Sequence, residues 1–95
     1  MKKEKNIYQN VSLGKSVIIE PFCTIGKPPK GKKPGELKTV IGDNVVVRSG
    51  TTIYAGVVIG NNSQIGHNVL IREGNKIGNN SSIGTNSTLE PNNKI

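Results

Sequence analysis

The sequence predicts an all-β chain in which short strands wind into one parallel β-helix, and three observations carry this. Ile41, Val47, Ile53, Ile59, Ile65, Ile71, Ile77, Ile83, Leu89 and Ile95 fall at strict six-residue spacing. Such a period belongs to repeat architectures, not to an α-helix or an ordinary strand. Counted from this aliphatic residue, position four reads Asn44, Gly50, Gly56, Asn62, Asn68, Gly74, Asn80, Asn86 and Asn92. Asn and Gly are the types that best tolerate a left-handed backbone, so each hexad contains a sharp corner. Position five is small or β-branched in most hexads (Val45, Thr51, Val57, Ser63, Val69, Asn75, Ser81, Ser87, Asn93) and precedes the next aliphatic by two residues. Residues two apart in an extended segment share a face, so positions five and one point inward and position six outward.

From the N-terminus, residues 1–5 (Met1, Lys2, Lys3, Glu4, Lys5) read as a flexible basic tail, and residues 6–95 as one domain. Ile7, Leu13, Ile19 and Ile25 already keep the spacing, with Asn10 and Ser16 at the corners and Val11, Val17 and Cys23 inward. Pro21-Phe22 replaces the Asn/Gly corner with a stiffer one. A lone cysteine forms no internal disulfide, and Cys23 reads as a small core residue. The period breaks between Ile25 and Ile41, two hexads plus four residues, where residues 27–38 are rich in Pro, Gly and Lys. That composition predicts a loop extruded from the coil, which rejoins at Thr39 and Val40. The loop lacks the Gly-Lys-Ser/Thr ending of a nucleotide-binding P-loop.

Composition narrows the functional classes. The formal charge of +7 is concentrated in residues 1–40, which hold nine Lys against three Glu. Only Tyr8, Phe22 and Tyr54 are aromatic, few for stacking on bases, so no nucleic-acid partner is expected. No stretch approaches the roughly 20 apolar residues of a membrane span, and the charged start is unlike a signal peptide, so the expectation is a cytoplasmic protein with no membrane partner. A single His weakens any metal-site reading.

The hexads Ile59-Gly60-Asn61-Asn62-Ser63-Gln64, Ile77-Gly78-Asn79-Asn80-Ser81-Ser82 and Ile83-Gly84-Thr85-Asn86-Ser87-Thr88 resemble the signature of the hexapeptide-repeat acyltransferase superfamily, closest to its nucleotide-sugar N-acetyltransferases. The resemblance covers nearly the whole chain. It implies a left-handed parallel β-helix with three hexads to a triangular coil, about five coils here. It also implies that the chain corresponds to an N-terminal portion of such an enzyme, with further coils after Ile95. The zinc-dependent carbonic anhydrases that share the fold use three histidines, which this chain lacks, so no metal is expected.

With three hexads to a coil, residues eighteen apart stack. Tyr54, Arg72 and Glu90 then form one outward column, with Arg72 on the Tyr54 ring or paired with Glu90. Asn75 and Asn93 stack inward as an amide ladder, and Ser49, His67 and Thr85 share an outward column.

The activity implied is transfer of an acetyl or similar acyl group from coenzyme A, with acetyl-CoA as co-substrate, to an amino group of a nucleotide-linked sugar. His67 is the candidate catalytic base. It occupies an outward corner after Gly66, and an imidazole that titrates near neutrality suits removal of a proton from an attacking amine. In several branches of the family a corner His at a subunit interface is the proposed base. Ser49 and Asn68 would orient the ring, Arg48 would face a phosphate or carboxylate, and Lys30, Lys32 and Lys33 of the loop would contact phosphates. The resemblance also implies a homotrimer with parallel axes, and apolar Val46, Val58 and Leu70 at the outward position six suggest a covered surface. The alternative is a non-catalytic β-helical interaction module that retains only the scaffold.

Overall fold

A computed structural model describes residues 5–95. The expected tail lies outside the described residues except for Lys5, which opens the first strand and pairs with Cys23. Coil one contains β1 (Lys5–Ile7), β2 (Val11–Leu13) and β3 (Ile18–Ile19). Coil two contains β4 (Cys23–Lys27), β5 (Thr39–Ile41) and β6 (Val46–Val47). Coil three is β7 (Thr52–Tyr54), β8 (Val58–Ile59) and β9 (Gln64–Ile65). Coil four is β10 (Leu70–Ile71), β11 (Lys76–Ile77) and β12 (Ser82–Ile83), and β13 (Thr88–Leu89) begins a fifth. Every pairing is parallel and joins strands one coil apart, giving a first sheet β1-β4-β7-β10-β13, a second β11-β8-β5-β2 and a third β12-β9-β6-β3. The three sheets are the faces of a left-handed β-helix.

The corners form as the position-four pattern predicts. Asn10, Ser16, Asn44, Asn62, Asn68, Asn80, Asn86 and Asn92 all have positive φ, as do Gly50, Gly56 and Gly74. Phe22 takes the same conformation at φ 68 although a bulky side chain is disfavoured there. The position-one aliphatics from Ile19 to Ile83 are buried and form a continuous core with Cys23, Val45, Val57 and Val69. Each such side chain contributes roughly 1.5–3 kcal/mol by leaving water. Cys23 is buried with its thiol against the Arg48 carbonyl at 3.1 Å, and burial pushes that thiol above its usual range, as suits a core residue.

Polar residues at the inward position five are satisfied by the neighbouring coil. Thr51 Oγ1 donates to the Gly66 carbonyl at 2.7 Å and accepts from the Val69 N–H at 3.1 Å. Ser63 makes the equivalent pair with Gly78 and Ser81. Asn75 and Asn93 stack as expected but do not bond amide to amide. Asn75 Nδ2 donates to the Arg72 and Glu90 carbonyls, and its Oδ1 accepts from the Asn93 backbone N–H. The nearest unpaired groups are the backbone ones of the next corner, so the ladder runs through them. Thr39 is the exception: its hydroxyl is buried without a partner, between Val11 and Val57 in the same inward column. Thr39→Val is therefore expected to raise stability by about 1 kcal/mol, because it removes an unsatisfied polar atom at nearly constant shape. Urea denaturation with an unchanged slope would measure it.

The interruption after Ile25 is one ordinary hexad step plus ten extra residues, not the two hexads and four that the spacing suggested. Leu13 pairs with Ile41 and Ile25 with Ile53, 28 residues apart, where uninterrupted pairs such as Asp43 and Asn61 are 18 apart. Lys27 is the last residue of β4, where a bulge at Gly26 shifts the register, so the extruded segment runs over 28–38. It lies along the edge between the first and second sheets. Asn10 Nδ2 donates to the Gly35 carbonyl at 3.1 Å, and Leu37 packs over Gly56.

Of two outward features, one matches expectation and one differs. Arg72 lies over the Tyr54 ring, 4.7 Å from the centroid, the first of the two contacts expected of it, and its ion pair is with adjacent Glu73 at 3.1 Å. Val46, Val58 and Leu70 belong to the third, second and first sheets respectively, so they face three directions and form no single patch. Hexads that follow one another in sequence occupy successive faces, which is why an apolar run at position six disperses.

Candidate functional site

The edge between the third and first sheets is built from four corners. Pro21-Phe22 follows β3, Ser49-Gly50 follows β6, His67-Asn68 follows β9 and Thr85-Asn86 follows β12. His67 stands in the middle of this edge and is exposed. Its Nδ1 is 3.0 Å from Ser49 Oγ, and its backbone N–H donates to Thr85 Oγ1 at 3.2 Å. The Ser49–His67–Thr85 column read from the sequence is thus a bonded one, and Ser49 orients the ring.

Asn68 acts differently. Its backbone N–H donates to the Ser49 carbonyl at 3.0 Å, and its side-chain Oδ1 lies where a Cβ on Gly50 would point. Asn68 therefore fixes the turn that carries Ser49 and not the imidazole itself. Gly66 also has another reason than ligand access. A Cβ there would stand 2.6 Å from the Thr85 backbone nitrogen, so the close approach of the next coil requires glycine.

Arg48 faces a carboxylate, but an internal one. Its Nη1 donates to Glu20 Oε2 at 2.9 Å, while Glu20 Oε1 accepts from the Ser49 backbone N–H at 3.0 Å. The Arg48 hydrogen bond and the Ser49 N–H hold the Glu20 carboxyl below the usual carboxylate range. Sequence reasoning missed Glu20 because its contacts are 28 and 29 residues away, across the loop. The available signal was its place at position two of the hexad, the position Arg48 holds one coil later.

Lys30, Lys32 and Lys33 do not join His67 within the chain. They belong to the segment on the first-to-second-sheet edge, whereas His67 is on the third-to-first-sheet edge. Lys32 pairs with Glu36 at 3.5 Å, and the Lys33 N–H donates to the same carboxylate. Among the described residues no enclosed pocket exists, and the His67 edge is an open surface.

Comparison with curated proteins and with solved structures gives no match. The family model described as "Bacterial transferase hexapeptide (six repeats)" matches residues 38–73. The match takes in Arg48, Ser49, His67 and Asn68 and leaves Glu20 and residues 28–37 outside it. Over these residues the chain is similar to the hexapeptide repeat of bacterial transferases, and the structure lays that repeat out as a left-handed β-helix.

Proposed function

We propose that the protein transfers an acyl group, acetyl in the simplest case, from a coenzyme A thioester to an amine of a nucleotide-linked sugar. The observation that supports this reading best is the Ser49 Oγ to His67 Nδ1 contact of 3.0 Å on an exposed corner. One ring nitrogen is held by the protein and the other, Nε2, is left for a substrate. The amine nitrogen attacks the thioester carbonyl carbon, the N–C bond forms and the C–S bond breaks. The nitrogen's proton passes to His67 Nε2, and the departing thiolate takes up a proton.

The open edge calls for a second wall. A homotrimer with parallel axes would supply it, by placing the loop of one protomer, with Lys30, Lys32 and Lys33, beside the His67 edge of the next. This assembly accounts for candidate residues that lie on two separate edges of one chain. Sedimentation giving a clean monomer at micromolar concentration would count against it.

The absence of an enclosed pocket among the described residues favours a second reading, a non-catalytic module built on the same scaffold. Isothermal titration with acetyl-CoA and with nucleotide-linked amino sugars separates the two. The transferase reading expects saturable heat and, with both present, release of free thiol; no specific heat with either compound supports the module.

A further inference from the structure

On two of its three edges the corners of this helix share a bonding rule, which Ser49 breaks. Along the edge between the second and third sheets, the N–H at position three of a hexad donates to the side-chain oxygen at position three of the next coil. Lys15 N–H donates to Asp43 Oδ1 at 2.9 Å, Asp43 to Asn61 at 2.8 Å and Asn61 to Asn79 at 2.8 Å. His67 obeys the rule on its own edge, donating to Thr85 Oγ1. By the same rule the Ser49 N–H would donate to the side chain of His67, one coil on. It does not, because Glu20 Oε1 reaches it from the preceding coil. His67 Nδ1 is released from that duty and meets the Ser49 hydroxyl instead.

The other oxygen of Glu20 holds Arg48, so the carboxylate is anchored at both ends. Position two elsewhere in the second and third sheets is Gly14, Gly42, Gly60, Gly78, Gly66 and Gly84, all without side chains to intervene. Glu20 and Arg48 are the departures in the third-sheet column, and they stand next to the only histidine.

We propose that Glu20 is a positioning residue that sets the tautomer of His67. By capturing the Ser49 N–H, it leaves Nδ1 able to carry the ring proton and donate it to Ser49 Oγ, with Nε2 bare. A backbone N–H is a donor only, so if Ser49 N–H turned to Nδ1, that nitrogen would have to be the acceptor. The proton would then move to Nε2, where it would block base catalysis. The inference rests on the reading of His67 as the base, and its test is independent of turnover. Glu20 of coil one and Arg48 of coil two are the charged groups that meet beside this corner.

Because the chain has one His, long-range proton–nitrogen correlation spectra of ¹⁵N-labelled protein contain a single imidazole. Spectra are recorded at a pH where the ring is neutral. Wild type is expected to show the proton on Nδ1, and Glu20→Ala on Nε2. Glu20→Gln keeps an acceptor oxygen for the Ser49 N–H and is expected to retain the Nδ1–H form, even if the alanine variant folds poorly. Acyl transfer should fall on the order of tenfold in Glu20→Ala, the population ratio one net hydrogen bond sustains, with little change in KM for the thioester. An unchanged tautomer in Glu20→Ala overturns the role of Glu20 while leaving His67 as base. An Nε2–H wild type overturns the proposal and the base assignment together, and turnover of the His67→Ala variant then decides whether the chain is a transferase by another route.

Discussion

Ile65→Asp is expected to abolish cooperative folding. Ile65 is completely buried at the inward position of β9, in register with Val47 below and Ile83 above. Replacing it removes an aliphatic worth about 2–5 kcal/mol in place. The carboxyl that takes its position finds no charged group among the buried residues, and the buried hydroxyls of Thr51 and Ser63 already donate to backbone carbonyls, so it must either ionise without a partner or be held neutral at a further cost. Domains of this size are stable by roughly 5–15 kcal/mol in total, and the combined penalty consumes most of that. In a solenoid the damage spreads along the axis, since each coil is stabilised by its neighbours. Gln64→Asp is the matched control: the side chain next in sequence is exposed on the outer face of the same strand, and its thermal midpoint should move little. A retained midpoint in Ile65→Asp would contradict the inward assignment of position one, read by circular dichroism during heating.

His67→Ala should reduce acyl-transfer turnover by on the order of 10²–10⁴-fold, the usual worth of a positioned general base. The fold should persist, because the His67 side chain is exposed and its side-chain hydrogen bond is with Ser49. The backbone bonds of the corner, His67 N–H to Thr85 and the Asn86 N–H to the His67 carbonyl at 2.9 Å, do not need the imidazole. Unchanged thermal stability and sedimentation alongside the lost turnover would separate chemistry from structure. Near-normal turnover would remove His67 from the reaction and favour a proton carried by water or by the substrate.

The six-residue period was enough to place nearly every side chain between Ile41 and Ile83 inside or outside the helix. It also located each left-handed corner, since these are local properties: alternation along an extended segment sets the face, and Asn or Gly relieves the strain of the turn. Even Ser49 and His67 could be brought together by counting eighteen residues, because no insertion lies between them. Contacts across the loop are another matter. Ten extra residues change the stacking offset from 18 to 28, so Glu20, separated from Ser49 by the loop, came to lie against it and Arg48, a contact that its place at position two signals only once the new offset is known. The loop also holds Lys30, Lys32 and Lys33 on a different edge from His67, while the three-sided coil spreads Val46, Val58 and Leu70 over three faces. Core and corner residues can be told from the chain alone, because each hexad carries that information within six positions. Which outward residues meet is fixed by the folded coils, because that depends on how many residues each coil consumes and on whichever hydrogen-bond partner lies nearest across the gap.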